Sequence, residues 1–197
     1  MIKYPISTLV YLAKLNIKDK LQDTLKLHNN VDAYIEIEVK DKNGNIIKRH
    51  KQHSHSFVEG FLNKLYWDWN QTGAVSVGYM GYSTGLQIGT GTLKPAPNDS
   101  QLTTAITNGT GAGQMTYPSQ PTFISPVISG DTTTLKIQST IVNNSGASIT
   151  VTEAGLIATG PNSAYSRGMM AHDLLSSPVT VPNGTAITVT YIISVTT

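Results

Sequence analysis

Thr132-Thr133-Thr134-Leu135-Lys136-Ile137-Gln138-Ser139-Thr140-Ile141-Val142, followed at once by Asn143-Asn144-Ser145-Gly146, decides the fold class of this chain. A long β-favouring run is cut off by residues that make turns. The pattern then repeats toward the C-terminus. A second strand is expected over 148–158, a loop at Gly160-Pro161-Asn162, and a further extended segment over 168–175. Pro182-Asn183-Gly184 marks a turn before a final strand over 186–196. Regularly spaced strands with turn chemistry between them predict an antiparallel β-sandwich.

Upstream the signals change character. Residues 73–130 are rich in Gly, Thr, Ser and Pro, and predict short strands at 76–80, 86–89 and 122–128. Asn108-Gly109-Thr110-Gly111-Ala112-Gly113 must be a loop, because repeated glycines make any regular element costly. Earlier still, Ala33, Ile35, Ile37 and Val39 alternate with Tyr34, Glu36, Glu38 and Lys40, the period of a half-buried strand. Asn43-Gly44 then gives a strong hairpin signal, and Ile46 to about His53 returns as the second strand. Ser56-Phe57-Val58-Glu59 has the form of a helix capping box. Phe57, Val58, Phe61, Leu62, Leu65, Tyr66 and Trp69 follow at helical spacing, which predicts a helix over 57–69 that stops before Gly73. Trp67, Trp69 and Tyr66 read as packing residues. A further helix is expected over 7–28, where Ser7 can cap and Leu9, Leu12, Ile17, Leu21 and Leu25 form a stripe; a short helix followed by a strand at 24–27 is the alternative.

The composition fits assembly better than chemistry. Only 13% of the 197 residues are charged, against about 25% in ordinary soluble domains. Residues 1–70 hold 11 of the 14 Lys/Arg and 8 of the 12 Asp/Glu. The rest of the chain must present Thr, Ser, Asn and Gly instead. Such a surface loses little side-chain entropy when covered, and interface cores are likewise poor in Lys and Glu. There is no cysteine, so disulfides and thiolate metal sites are excluded. The net charge of +2 does not call for nucleic acid or an acidic membrane. The apolar runs, such as Tyr191-Ile192-Ile193-Ser194-Val195, fall far short of the ~20 residues of a spanning helix. The first residues, with Lys14, Lys18 and Asp19 and no small-residue cleavage site, predict synthesis in a cytoplasm without a secretory signal.

Few residues suggest chemistry. Gly89-Thr90-Gly91 lacks the third glycine of a dinucleotide fingerprint, and Pro95 and Pro97 stand where its helix would begin, so a tight bend is the expectation. His50, His53 and His55 have metal-like spacing, but His50 falls on the wrong face of a strand and no adjacent carboxylate precedes Glu59. A basic surface strand over 48–51 is the better reading. No hydrolytic motif is present. Glu153, Arg167, His172 and Asp173 stand out in a nearly neutral region, and predict a structural tie of Glu153 to Arg167 or to His172. Glycoside hydrolysis would need paired carboxylates, for which only Glu153 and Asp173 offer themselves. The sequons at Asn70, Asn98, Asn108, Asn143 and Asn183 are those expected by chance in a chain rich in Asn and Thr.

The order of the motifs is more specific than any one of them. Val39-Lys40-Asp41-Lys42-Asn43-Gly44 precedes Gln52-His53-Ser54-His55-Ser56-Phe57-Val58. Leu86-Gln87-Ile88-Gly89-Thr90-Gly91-Thr92 follows with Pro95, Asp99 and Leu102, then Gly109-Thr110-Gly111-Ala112-Gly113-Gln114 with Tyr117. Next come Asn143-Asn144-Ser145-Gly146 with Glu153-Ala154-Gly155-Leu156, and lastly Asp173-Leu174-Leu175-Ser176-Ser177-Pro178-Val179-Thr180-Val181-Pro182-Asn183-Gly184. Over residues 31–197 this order resembles a family of virion-associated proteins of tailed phages and related viruses. The Glu-x-Gly-Leu strand is also similar to phage tail-collar and tail-fibre domains. The resemblance implies a structural role and brings no catalytic residues.

The expected protein is therefore mainly β: an antiparallel β-sandwich with an N-terminal hairpin and one or two α-helices. Residues 1–30 form an arm or helix, 31–73 the hairpin and amphipathic helix, and 74–197 the sandwich, packed with 31–73 as one domain. The expected function is that of a structural component of a tailed virus particle, a homo-oligomer (ring or trimer) docked on other virion proteins of the tail or capsid. No enzymatic activity, cofactor, metal, nucleic acid or membrane is expected, and its location is the virion, assembled in a host cytoplasm. The alternative is a carbohydrate-binding module at a fibre tip, recognising a host surface glycan through exposed Tyr79, Tyr82, Tyr117 or Tyr165.

Overall fold

The computed structural model describes residues 30–54, 57, 85–119, 121–158 and 168–196. These residues are mainly β and contain no α-helix. Eight strands run in chain order: β1 (Asn30–Lys40), β2 (Ile46–His53), β3 (Leu86–Gly89), β4 (Thr122–Ser129), β5 (Thr132–Asn143), β6 (Ile149–Ala158), β7 (Gly168–Val181) and β8 (Thr185–Thr196). They form a five-stranded sheet in the order β2-β1-β8-β5-β4 and a three-stranded sheet in the order β3-β6-β7. All pairings are antiparallel.

One buried cluster joins the two sheets. Ile35, Ile37 and Val39 of β1, Ile137 and Ile141 of β5, and Ile187, Val189 and Tyr191 of β8 pack with Ile88, Val151, Leu156, Met170, Val179 and Val181 of the smaller sheet. The strict alternation on β1 sends Tyr34, Glu36, Glu38 and Lys40 to the other face. There Glu38 accepts a 2.6 Å hydrogen bond from Arg49 of β2, its directly opposite neighbour. The outer face of the larger sheet is polar in a different way, with hydroxyl pairs Thr132–Thr196, Thr134–Ser194 and Thr140–Thr188 running across β5 and β8. Such cross-strand pairs satisfy polar groups without charge.

Residues 41–45 close β1 onto β2. The Asp41 carboxylate accepts the amides of Asn43 and Asn45, and Gly44 takes a φ of +84° that a side chain would disfavour. A second linkage depends on a buried amide. Asn143 donates to the carbonyls of Ala147 and Val181 and accepts from Ser145, and so pins the β5–β6 turn to the end of β7. Its side chain is buried and saturated, which removes the Asn143 sequon as an acceptor.

Two expectations need correction. The segment expected over 168–175 is a longer strand that continues to Val181. Val151 pairs with Val179 and Glu153 with Leu174, so β7 bulges between these pairs. The bulge accommodates Pro178, which has no amide for a regular ladder. Side chains of β2 fill the gap: Gln52 bonds Leu174 O and Ser176 N, and Lys48 reaches Pro178 O. The helix expected over 57–69 does not include its first residue, because Phe57 forms an isolated antiparallel bridge with Ala171 and packs against the core. The capping residues Ser56 and Glu59, the remainder of that helix, the helix over 7–28, the strand over 76–80 and the loop at 160–162 lie outside the described residues.

Candidate functional site

The densest group of ionisable side chains sits on the smaller sheet and involves Glu153, His172 and Asp99. β6 carries Glu153 opposite Leu174 of β7, which places His172 diagonally across on the same face. Residues 90–105 fold back beside β3, where Thr90 N bonds Thr104 O and Ile106 N bonds Ile88 O. This return brings three backbone amides onto Glu153.

Both carboxylate oxygens of Glu153 are saturated. Oε1 accepts from Gly91 N at 3.0 Å and Thr104 N at 2.7 Å; Oε2 accepts from Thr103 N at 3.1 Å and His172 Nε2 at 2.8 Å. The other ring nitrogen of His172, Nδ1, lies 2.6 Å from Asp99 Oδ2, which also accepts Ala96 N. Ionised carboxylates only accept, so each ring nitrogen of His172 faces an acceptor oxygen. Glu153 is fully buried and His172 nearly so. Burial alone would push the Glu153 carboxyl up, but the amides of Thr104, Thr103 and Gly91 and the imidazole outweigh it and hold the group below its ordinary value. Asp99 is likewise lowered: burial opposes ionisation, and the Ala96 amide and His172 overcome it.

Gly89-Thr90-Gly91 acquires its reason here. A Cβ on Gly91 would stand 2.5 Å from Glu153 Oε1 and 2.6 Å from Thr103 Cβ, and one on Gly89 would strike the same carboxylate. The glycines let the backbone close on an anion, as in a phosphate loop, but the anion is the protein's own side chain.

Asp173 belongs to a different environment. Its neighbour His172 faces residues 91–104, so the two-residue period of β7 turns Asp173 to the other face of the smaller sheet. There it accepts Ser54 Oγ at 2.7 Å and Tyr191 OH at 2.8 Å. The tie of Glu153 to His172 is formed; Arg167, the other expected partner, lies outside the described residues. Glu153 and Asp173 do not converge, and so cannot flank one scissile bond. Asp99, the third member of the cluster, was not singled out by spacing. It follows β3 in a loop far along the chain from β7, and no local pattern links it to His172.

The other expected sites are dispersed. His50 bonds Gln52, His53 lies 3.3 Å from Asp32, and His55 is outside the described residues. Among the described residues no group of three or more His, Cys, Asp or Glu side chains has an arrangement that could hold a metal ion. Tyr117, expected as an exposed sugar platform, packs against the core, and its hydroxyl lies 2.9 Å from Ile106 O; burial pushes it up to about 12. Tyr79, Tyr82 and Tyr165 lie outside the described residues. No family model, curated protein or solved structure matches this chain.

Proposed function

We propose that this chain is a self-associating structural component of a tailed virus particle that docks on tail or capsid subunits. In this reading the two sheets are the layers of an antiparallel β-sandwich with an N-terminal hairpin, to which residues outside those described add one or two α-helices. The observation that carries the reading is the division of polar and apolar groups. Among the described residues the buried ionisable groups Glu153, His172 and Asp173 are engaged by the protein itself, while β4 leaves Phe123, Ile124, Val127 and Ile128 exposed. A protein built for chemistry leaves reactive groups accessible, and one built for assembly leaves apolar surface accessible. The particle assignment rests on the order of motifs over residues 31–197.

Quantifying the chain in purified particles tests this reading. The expected result is a fixed copy number that is a multiple of the particle's local symmetry, and recruitment of the isolated protein to particles made without it. Absence from purified particles overturns the assignment. Selective binding of the isolated protein on a glycan array, without recruitment, would favour the fibre-tip alternative instead.

A further inference from the structure

We propose that β4 of one copy pairs antiparallel with β4 of a second copy, about a two-fold axis through Ser125-Pro126, and so joins two five-stranded sheets into one. This rests on the self-association reading above and names the surface and the partner.

The two edges of the larger sheet differ. β2 carries Lys48, Arg49 and Lys51, and its side chains are tied to the bulge of β7. Charge and cover are ordinary guards of an edge strand. β4 has no charged residue, and all eight of its positions are exposed, with Phe123 at 42%, Ile124 at 38%, Val127 at 60% and Ile128 at 75%. Exposure on both faces of one apolar strand calls for a neighbour that continues the sheet rather than one that covers a face.

The register of β4 on β5 shows why that neighbour is a second β4. Phe123 lies opposite Ile137 and Ile128 opposite Thr133, while Ile124 lies opposite Lys136 and Val127 opposite Thr134. Partners two or four residues apart on β5 share a face. Phe123 and Ile128 therefore share the core-side face, and Ile124 and Val127 share the outer one. An unbroken strand would separate the members of each pair, since their positions differ by an odd number. The irregularity between Ile124 and Val127 restores the parity.

The strand consequently reads the same in both directions, with a polar end, two apolar residues, Ser125-Pro126, two apolar residues and a polar end. Rotation about the centre sets Phe123 against Ile128 of the second copy, Ile124 against Val127, and Thr122 against Ser129. Each residue meets one of its own kind on its own face, as an isologous interface requires. Pro126 selects this register. Against a regular strand its missing amide would cost a ladder bond, whereas at the axis bulge meets bulge. The device that discourages indiscriminate pairing thus permits this one arrangement.

The chain has no cysteine, so engineered thiols report the register directly. Residues directly opposite in an antiparallel pair have Cα atoms about 4.5–5.5 Å apart, within the disulfide range of ~4.4–6.8 Å. Within one chain, positions 123 and 128 are too far apart along the strand to bridge. The double variant Phe123→Cys/Ile128→Cys should give a covalent dimer on mild oxidation, in near-complete yield. Phe123→Cys alone should give only background cross-linking, because its opposite residue carries no thiol. Val127→Lys should shift the assembly toward monomer while leaving β-type circular dichroism and the unfolding transition intact. Failure of the double variant to cross-link, or equal cross-linking of the single variant, overturns the register. Oligomers unchanged by Val127→Lys would place the interface elsewhere and leave self-association standing. A monomeric wild type, as when residues 1–29 of the same chain cover β4, overturns both.

Discussion

Burying a carboxylate costs several kcal/mol unless its lone pairs are filled, and the four donors around Glu153 fill them. The consequence is dependence on charge. Glu153→Gln keeps the volume but turns an amide NH2 toward donors that need an acceptor. Breaking a buried pair in this way should destabilise the protein by about 3–5 kcal/mol, read from chemical denaturation at neutral pH. Acid should act on the same group. The folded-state carboxyls of Glu153 and Asp99 lie below their ordinary values, so their contribution is complete above the unfolded values, near pH 4, and is lost as pH falls through the lower folded values. The wild type should lose stability across that acid range, and Glu153→Gln should lose less there because part of the loss has already occurred. Parallel acid limbs in the two proteins would show that the clamp does not set acid stability. Gly91→Ala offers a steric test of the same clamp, since its Cβ would meet Glu153 Oε1 at 2.5 Å. A cost of about 1–3 kcal/mol, typical of overpacking, is expected.

At the scale of elements, β1 and β2 show how one paired unit divides its work. Ile37 of β1 is fully buried among β5, β8 and the smaller sheet, whereas Ile47 of β2 is exposed. Ile37→Ala should cost about 2–5 kcal/mol, and Ile47→Ala should stay within about 0.5 kcal/mol. Equal effects would mean that β2 is covered in solution. The strands were legible where one face is buried, because burial imposes the two-residue period: β1, β5 and β8 have buried isoleucines and valines at alternate positions. The extent of β7 beyond residue 175 was not legible, because Pro178 cannot take part in a regular ladder. Only the partner strand and the Gln52 and Lys48 side chains show that a bulge absorbs it. Half of the clamp was visible as isolated ionisable residues, Glu153 and His172, in a neutral sheet. The donors from residues 91–104 and the Asp99 carboxylate were not, because they come from a return loop whose position depends on tertiary pairing with β3. The division of His172 and Asp173 between two faces was in principle readable from their adjacency alone.

For the whole molecule, the two edges of the larger sheet make opposite predictions about salt. Association through β2 would bring Lys48, Arg49 and Lys51 toward acidic partners, and should weaken as the screening length shrinks from about 10 Å at 0.1 M to about 3 Å at 1 M. Association through β4 buries Phe123, Ile124, Val127 and Ile128 with no ion pair to screen, and concentrated salt leaves apolar burial intact or strengthens it. A two-fold β4 pair is closed and uses only one edge, so rings or larger assemblies on a particle must use other surfaces of the dimer. Sedimentation of the full chain at micromolar concentration, in low and high salt, decides between these routes. The expected result is the same oligomeric mass in both, with no dissociation at 1 M salt. Dissociation by salt would move the interface to the charged edge at β2, and a monomer under both conditions would remove self-association from the functional reading. The glycan-binding alternative would then become the better account of a protein whose interior ionisable groups are already satisfied.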